Sequence, residues 1–171
     1  MSEIREPQVK GVAFRSVLAV LEDLRGAEVC EQVLARMSEA DARMVRFGVV
    51  QTGWYPISLY RALWRAIVAQ TGPGYDAVRA IGALALRRDI TGVYRMVFKV
   101  LSPATVFSLS GQLFSRYYDT GQLSFAKETP RRVLAVYRGC RGFDRAMWEE
   151  IHGSSQELLT LAGAERVTMR I

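Results

Sequence analysis

His152 is the one histidine in the sequence, so any catalytic or metal site that needs an imidazole must use it. It lies shortly after Glu149 and Glu150, which would suit a general base. A hydrolase would also need an activated nucleophile, and the sequence has no Gly-x-Ser-x-Gly motif. The same imidazole is the one histidine that could bind a haem iron. A packed or surface histidine is the alternative, and both interpretations stay open.

The other chemistry-bearing residues form no recognisable site. Cys30 and Cys140 lie far apart, with no Cys-x-x-Cys or His-x-x-x-His spacing to hold zinc. The glycines of Gly72-Pro73-Gly74 lack the Gly-Lys-Ser/Thr that cradles phosphate. We therefore expect no enzymatic activity and no metal site.

Aromatic residues cluster at predicted helix ends and on one broad helical face. Such rings line the mouths of apolar pockets, although most aromatic residues pack in cores. The candidates for a ligand site or an interface are Trp54, Tyr55, Tyr60, Trp64, Tyr117 and Tyr118.

Composition limits the class of protein. The 171 residues are 50% hydrophobic, which suits one folded domain and argues against disorder. No run is apolar enough to span a bilayer, and the charged N-terminus has no signal-peptide core, so we expect a cytoplasmic protein. The net charge is +6, but the arginines are scattered, so we expect no nucleic-acid binding.

The elements predict an α+β fold in a single domain over residues 1–171. Apolar spacing indicates helices through about residues 9–118, with Ser38 as an N-cap and a helix over 90–101. Alternation around Leu123 and Phe125, then around Val133 and Tyr137, indicates a β-hairpin. A long helix over 143–161 and a last strand over 166–171 complete a small antiparallel sheet within about 119–171.

Short motifs in a fixed order carry a resemblance that spans nearly the whole chain. They are Trp54-Tyr55-Pro56, Gly82, Ser102-Pro103, Tyr117-Tyr118-Asp119-Thr120-Gly121, Gly142-Phe143-Asp144-Arg145-x-x-Trp148, Gly153 and Leu161-Ala162-Gly163-Ala164. With these the chain resembles a myxobacterial family of unknown function with many paralogues. That family is similar, more distantly, to a superfamily of haem-nitric-oxide-binding domains, vinyl-reductase-type ligand-binding domains and core subunits of the vesicle-tethering TRAPP complex.

The resemblance implies a sensory or scaffolding module, because those relatives bind haem, aromatic effectors or a fatty acyl chain, or act as dimeric adaptors. It also implies haem-binding residues that can be compared with this sequence. Haem-nitric-oxide domains carry their proximal histidine on a helix before the sheet and a Tyr-x-Ser-x-Arg set for the propionates. Here His152 follows the predicted hairpin, and no Tyr-x-Ser-x-Arg occurs.

These observations together predict a non-enzymatic regulatory or adaptor domain that acts through a protein partner and holds at most a small apolar ligand. A homodimer is expected, because a second copy could cover the edge of the last strand. We expect no cofactor, with haem or a fatty acyl chain as the alternatives. The alternative functions are a haem or metal sensor that uses His152, and a basic surface that binds nucleic acid or anionic lipid.

Overall fold

The computed structural model describes residues 5–72, 74–90, 103–129, 132–164 and 167–169. The chain starts with strand β1 (Gln8–Lys10) and helices α1 (Gly11–Arg25), α2 (Ala27–Ala35) and α3 (Glu39–Arg43), followed by a π-helical turn (Met44–Gly48). Ser38 caps α3 as predicted, because its side chain accepts a hydrogen bond from the Asp41 amide at 3.1 Å.

Strand β2 (Trp54–Pro56) pairs antiparallel with β1 and leads into α4 (Ile57–Thr71). The Gly53 carbonyl accepts the first amide of α1, Gly11, at 2.9 Å, and the Pro7 carbonyl accepts the first amide of α4 at 2.8 Å. Both helix starts therefore satisfy otherwise free N–H groups through this small sheet. The pairing of these two short strands was not predicted from the sequence.

Helix α5 (Asp76–Asp89) precedes α6 (Pro103–Tyr117), after which Gly121 turns the chain into the hairpin. Gly121 has φ of 83°, a conformation that disfavours side chains with a Cβ. Strands β3 (Gln122–Thr129) and β4 (Arg132–Arg138) form the predicted hairpin, with Phe125 opposite Ala135.

Helix α7 (Arg145–Leu161) follows the hairpin, and Asp144 caps it by accepting the Met147 amide at 3.2 Å. It packs along α5, and a glycine on each helix lets the two backbones approach each other closely. A Cβ at Gly82 would lie 2.5 Å from the Glu150 carbonyl oxygen, and one at Gly153 would overlap the Arg79 carbonyl. The small residues fix how near these helices lie.

The main core lies between α1, α2, α4, α5 and α7. Its largest fully buried side chains include Phe14, Tyr60 and Trp64, which contact one another edge to face at 4.8 Å and 5.9 Å between ring centroids. These three rings bury much of the apolar surface that holds the helical part together.

The α+β class is confirmed, with helices first and an antiparallel hairpin near the end. The helix predicted over 90–101 lies outside the described residues beyond Ile90. Within the predicted last strand, the described residues Val167–Met169 take part in no strand pairing. No helix in the described ranges is long and apolar enough to cross a membrane.

Candidate functional site

A cavity of about 500 Å³ opens between the hairpin and the helices that face it. This volume lies within the range of small-molecule sites in proteins. Most of the wall is apolar or aromatic, with contributions from α5, α6, α7, both hairpin strands and the Val167–Met169 segment. Typical wall residues are Leu86, Leu113, Phe114, Leu123, Phe125, Val133, Tyr137, Leu158 and Met169.

Aromatic rings form one side of this cavity. Phe114 lies 5.0 Å from Tyr118 and 5.5 Å from Tyr137, measured between ring centroids. Tyr118 continues the cluster to Phe143 at 4.9 Å. Because these rings pack on each other, they form a rigid wall.

Glu150 places a carboxylate on the cavity wall. It accepts a hydrogen bond from the Tyr118 hydroxyl at 3.0 Å, and it shares the Ser154 hydroxyl proton, at 3.4 Å, with the Gly82 carbonyl oxygen, at 3.0 Å. Its side chain lines the cavity, and the residue is partly buried. Burial raises the pKa of Glu150 to about 7, with a further contribution from the negative charge of Asp89, against the two hydrogen bonds that lower it.

Asp89, at the end of α5, is the second carboxylate on the wall. It accepts the Tyr117 hydroxyl at 2.6 Å and also the Ser16 hydroxyl. Burial raises its pKa, although these two hydrogen bonds and the charge of Arg88 lower it. The pKa values of Tyr117 and Tyr118 are raised well above the ordinary range, first by burial and then by these carboxylates, so both phenols stay protonated.

Tyr60 reaches the same cavity from α4. Its side chain is fully buried, and its hydroxyl has no hydrogen-bond partner in the described structure. The indole nitrogen of Trp64, one helical turn away, is close but likewise makes no hydrogen bond. A buried hydroxyl without a partner is uncommon, because its desolvation is not compensated.

His152 is not among the described residues that line the cavity, and it lies beside Glu149. Its Nδ1 is 3.7 Å from Glu149 Oε2 and makes no hydrogen bond. Burial would raise the pKa of Glu149, but hydrogen bonds from Arg79 at 2.6 Å and Arg145 at 2.7 Å outweigh it and hold that pKa below its usual range. This group is an ion-pair network between α5 and α7.

The structure brings together three of the six aromatic candidates. Tyr60, Tyr117 and Tyr118 line the cavity, whereas Trp64 is fully buried in the core behind Tyr60. Trp54 and Tyr55 lie elsewhere, in β2.

Each β2 aromatic has a local role. The Tyr55 hydroxyl accepts the Val50 amide at 2.8 Å and donates to the Gly48 carbonyl at 2.9 Å. Trp54 is partly exposed beneath Lys10, whose Nζ lies 4.6 Å from the ring centroid. Tyr55 thereby supports the turn before β2, whose Gln51 and Gly53 carbonyls accept the first amides of α1.

Sequence reasoning missed both carboxylates, Glu150 and Asp89. A signal was present, because Glu150 lies within the apolar stripe of α7 that contains Met147, Ile151 and Leu158. Among the described residues no group of three metal-binding side chains occurs, and Cys30 and Cys140 are free thiols.

Solved structures of H-NOX proteins are similar to this chain over most of its length. An Fe(II) unliganded H-NOX protein from K. algicida, in a variant form, is 16% identical, with a TM-score of 0.69 over 90% of this chain and 83% of that one. A Cs H-NOX variant is 12% identical, with a TM-score of 0.69 over 90% and 82%. A structure described by haem redox potential and porphyrin distortion is 13% identical, with a TM-score of 0.67 over 91% and 86%.

At these identities the likeness shows that the chain has the H-NOX fold. Comparison with protein-family models and with curated proteins finds no match, so the myxobacterial family has no support there. The expectation of no cofactor is wrong, because the fold is shared with proteins that contain iron and haem. The vinyl-reductase and TRAPP branches and the homodimer also gain no support from the neighbours.

Proposed function

We propose that this domain is a non-enzymatic sensor that binds a small molecule in the cavity beneath its hairpin. The observation that carries the proposal is the cavity itself, with its apolar wall and its few inward polar groups. The H-NOX fold supports a sensor more strongly than an adaptor that acts by protein contact alone. The myxobacterial family, cytoplasmic location, protein partner and homodimer stay predictions from the sequence.

Haem is the group that the fold implies, and its iron needs an axial ligand. The described part of the cavity wall includes no histidine or cysteine, and His152 lies beside Glu149 instead. Tyr117 and Tyr118 are hydrogen-bonded to carboxylates and keep their protons, so they offer no phenolate. Met169 could offer a thioether, but the Met ligand of cytochromes c is paired with a histidine, and the described wall offers none.

The charges of the wall disagree with haem as well. Two propionates would need cationic or hydrogen-bond-donating partners, whereas the charged groups on the described wall are the carboxylates of Asp89 and Glu150. In β4 and the following turn, Tyr137 and Arg141 have the Tyr-x-Ser-x-Arg spacing with Gly139 in place of the serine. Tyr137 lines the cavity, but Arg141 is exposed outside it. The described residues therefore do not fit a haem.

A bound molecule would contact several separate parts of the chain at once. The wall takes residues from the hairpin, from α6 and from the segment after α7, so a ligand would contact all three. Binding to the folded state alone would stabilise this arrangement in proportion to ligand concentration. Ligand binding would therefore make the hairpin and the segment that includes Val167 more ordered.

Ala135→Trp tests this site, because Ala135 lines the cavity from β4 and an indole there would occupy part of it. We expect the neutral apolar dye Nile red to bind the wild-type protein and to lose at least tenfold in affinity in Ala135→Trp. The measurement is a fluorescence titration.

Ala126→Trp is the matched control, since Ala126 lies in the same hairpin but is exposed. It should bind the dye as the wild type does. Equal affinity in both variants, or no dye binding to a folded wild-type protein, would overturn the proposed function.

A further inference from the structure

The described walls of the cavity carry two carboxyl groups and no cationic side chain to pair with them. Asp89 on α5 and Glu150 on α7 both line it, and no arginine, lysine or histidine is among its described lining residues. The nearby cations act from outside the wall: Arg88 lowers the pKa of Asp89, and Arg116 lowers that of Tyr117. Buried carboxylates without a cation are costly, so this arrangement favours an occupant of opposite charge.

The protein groups that do contact these carboxylates are neutral and leave acceptor capacity free. Glu150 accepts from Tyr118 and Ser154, and Asp89 accepts from Tyr117 and Ser16. An ionised carboxylate can accept about four hydrogen bonds. Each carboxylate therefore has room for N–H donors from a ligand.

An independent feature points into the same space. The Tyr60 side chain lines the cavity and is fully buried, and its hydroxyl has no hydrogen-bond partner among the described residues. A hydroxyl can both donate and accept. A polar group on a ligand would satisfy it at the same site as the carboxylates.

The rest of the wall suits an aromatic or aliphatic body. Phe114 and Tyr118 pack with Tyr137 on one side, and aromatic faces also attract organic cations. Serines at 110, 154 and 155 are the other small polar groups of α6 and α7 at the wall.

We infer that the cavity selects an apolar amine, with the ammonium held between Asp89, Glu150 and the Tyr60 hydroxyl and the apolar body against the aromatic wall. This inference rests on the proposed function, because it names the ligand class of the same cavity. It also gives a physical reason for the poor match between the described wall and an anionic porphyrin.

The test compares naphthylmethylamine with naphthoate, which are similar in size and opposite in charge, as competitors of Nile red at pH 8. The amine should displace the dye at least tenfold more effectively in the wild-type protein. Glu150→Gln should remove most of that preference, and Asp89→Asn should reduce it. Glu28→Gln removes the same charge from an exposed site on α2 and should leave the preference unchanged.

The outcomes separate the two proposals. If Nile red binds in the cavity but the two competitors act equally, or naphthoate is preferred, the inference fails while the proposed function stands. If haemin displaces the dye more effectively than the amine, the inference also fails. If Nile red does not bind, the proposed function fails. A thermal melt of each variant shows whether it is folded.

Discussion

Gly153→Ala should destabilise the protein by about 3 kcal/mol or more, which is the upper part of the range for overpacked cores. The new Cβ would lie 2.7 Å from the Arg79 carbonyl carbon and would overlap its oxygen. The obstacle is the backbone of α5, so no side-chain rotation relieves it, and the two helices must separate. Urea denaturation gives the free energy of unfolding.

Gly74→Ala is the matched control, because a Cβ there would meet no heavy atom within 4 Å. Its free energy of unfolding should stay within about 0.5 kcal/mol of the wild type. A Gly153→Ala protein as stable as this control would contradict the close packing of α5 on α7, and with it the wall that presents Glu150.

Stability should fall as the pH rises from about 5 to 8, and Glu150→Gln should remove most of this fall. The pKa of Glu150 is about 7 in the folded protein, above the ordinary value of 4.5. As the pH rises, the unfolded state therefore loses this proton before the folded state does. Its stabilising effect is complete below about pH 4.5 and is lost as the pH rises through about 7. This pKa difference corresponds to about 3 kcal/mol of stabilisation. Because Glu150 lines an open cavity and is partly screened by solvent, we expect a change of about 2 kcal/mol.

The measurement is the free energy of unfolding at several pH values for the wild-type protein and Glu150→Gln. At pH 8 the variant should be the more stable of the two. Asp89 adds to the same trend, because its pKa is also raised. Glu149 acts in the opposite direction at lower pH, since its pKa is depressed and its contribution is lost on acidification. A wild-type curve that stays flat between pH 5 and 8 would contradict the burial of Glu150.

Local patterns predicted the elements that depend on local interactions. Ser38 has the hydroxyl that caps α3, and the alternation around Leu123 and Tyr137 gives the hairpin. The pairing of β1 with β2 was not predictable in this way. Each strand has three residues, too few to show a period, and their register joins Val9 to Tyr55 across the whole of α1 to α3.

The candidate site was likewise predictable from the sequence only in part. Tyr117 and Tyr118 were candidates at a helix end, and Tyr60 was a candidate on a broad helical face; all three line the cavity. Glu150 and Asp89 were missed, because a carboxylate on a helix usually faces solvent. Which face of α7 meets the cavity depends on Gly82 and Gly153, whose effect appears only when the two helices are packed.

The measurement that tests the central claim most directly is a native mass spectrum of freshly purified protein beside a denatured one. We expect the native protein to carry extra mass that is lost on denaturation. This extra mass should persist in Ala126→Trp and be absent from Ala135→Trp. The value of that mass would separate an amine from haem or a fatty acid. A native spectrum with no extra mass, unchanged after incubation with Nile red and with naphthylmethylamine, would contradict a ligand-binding cavity.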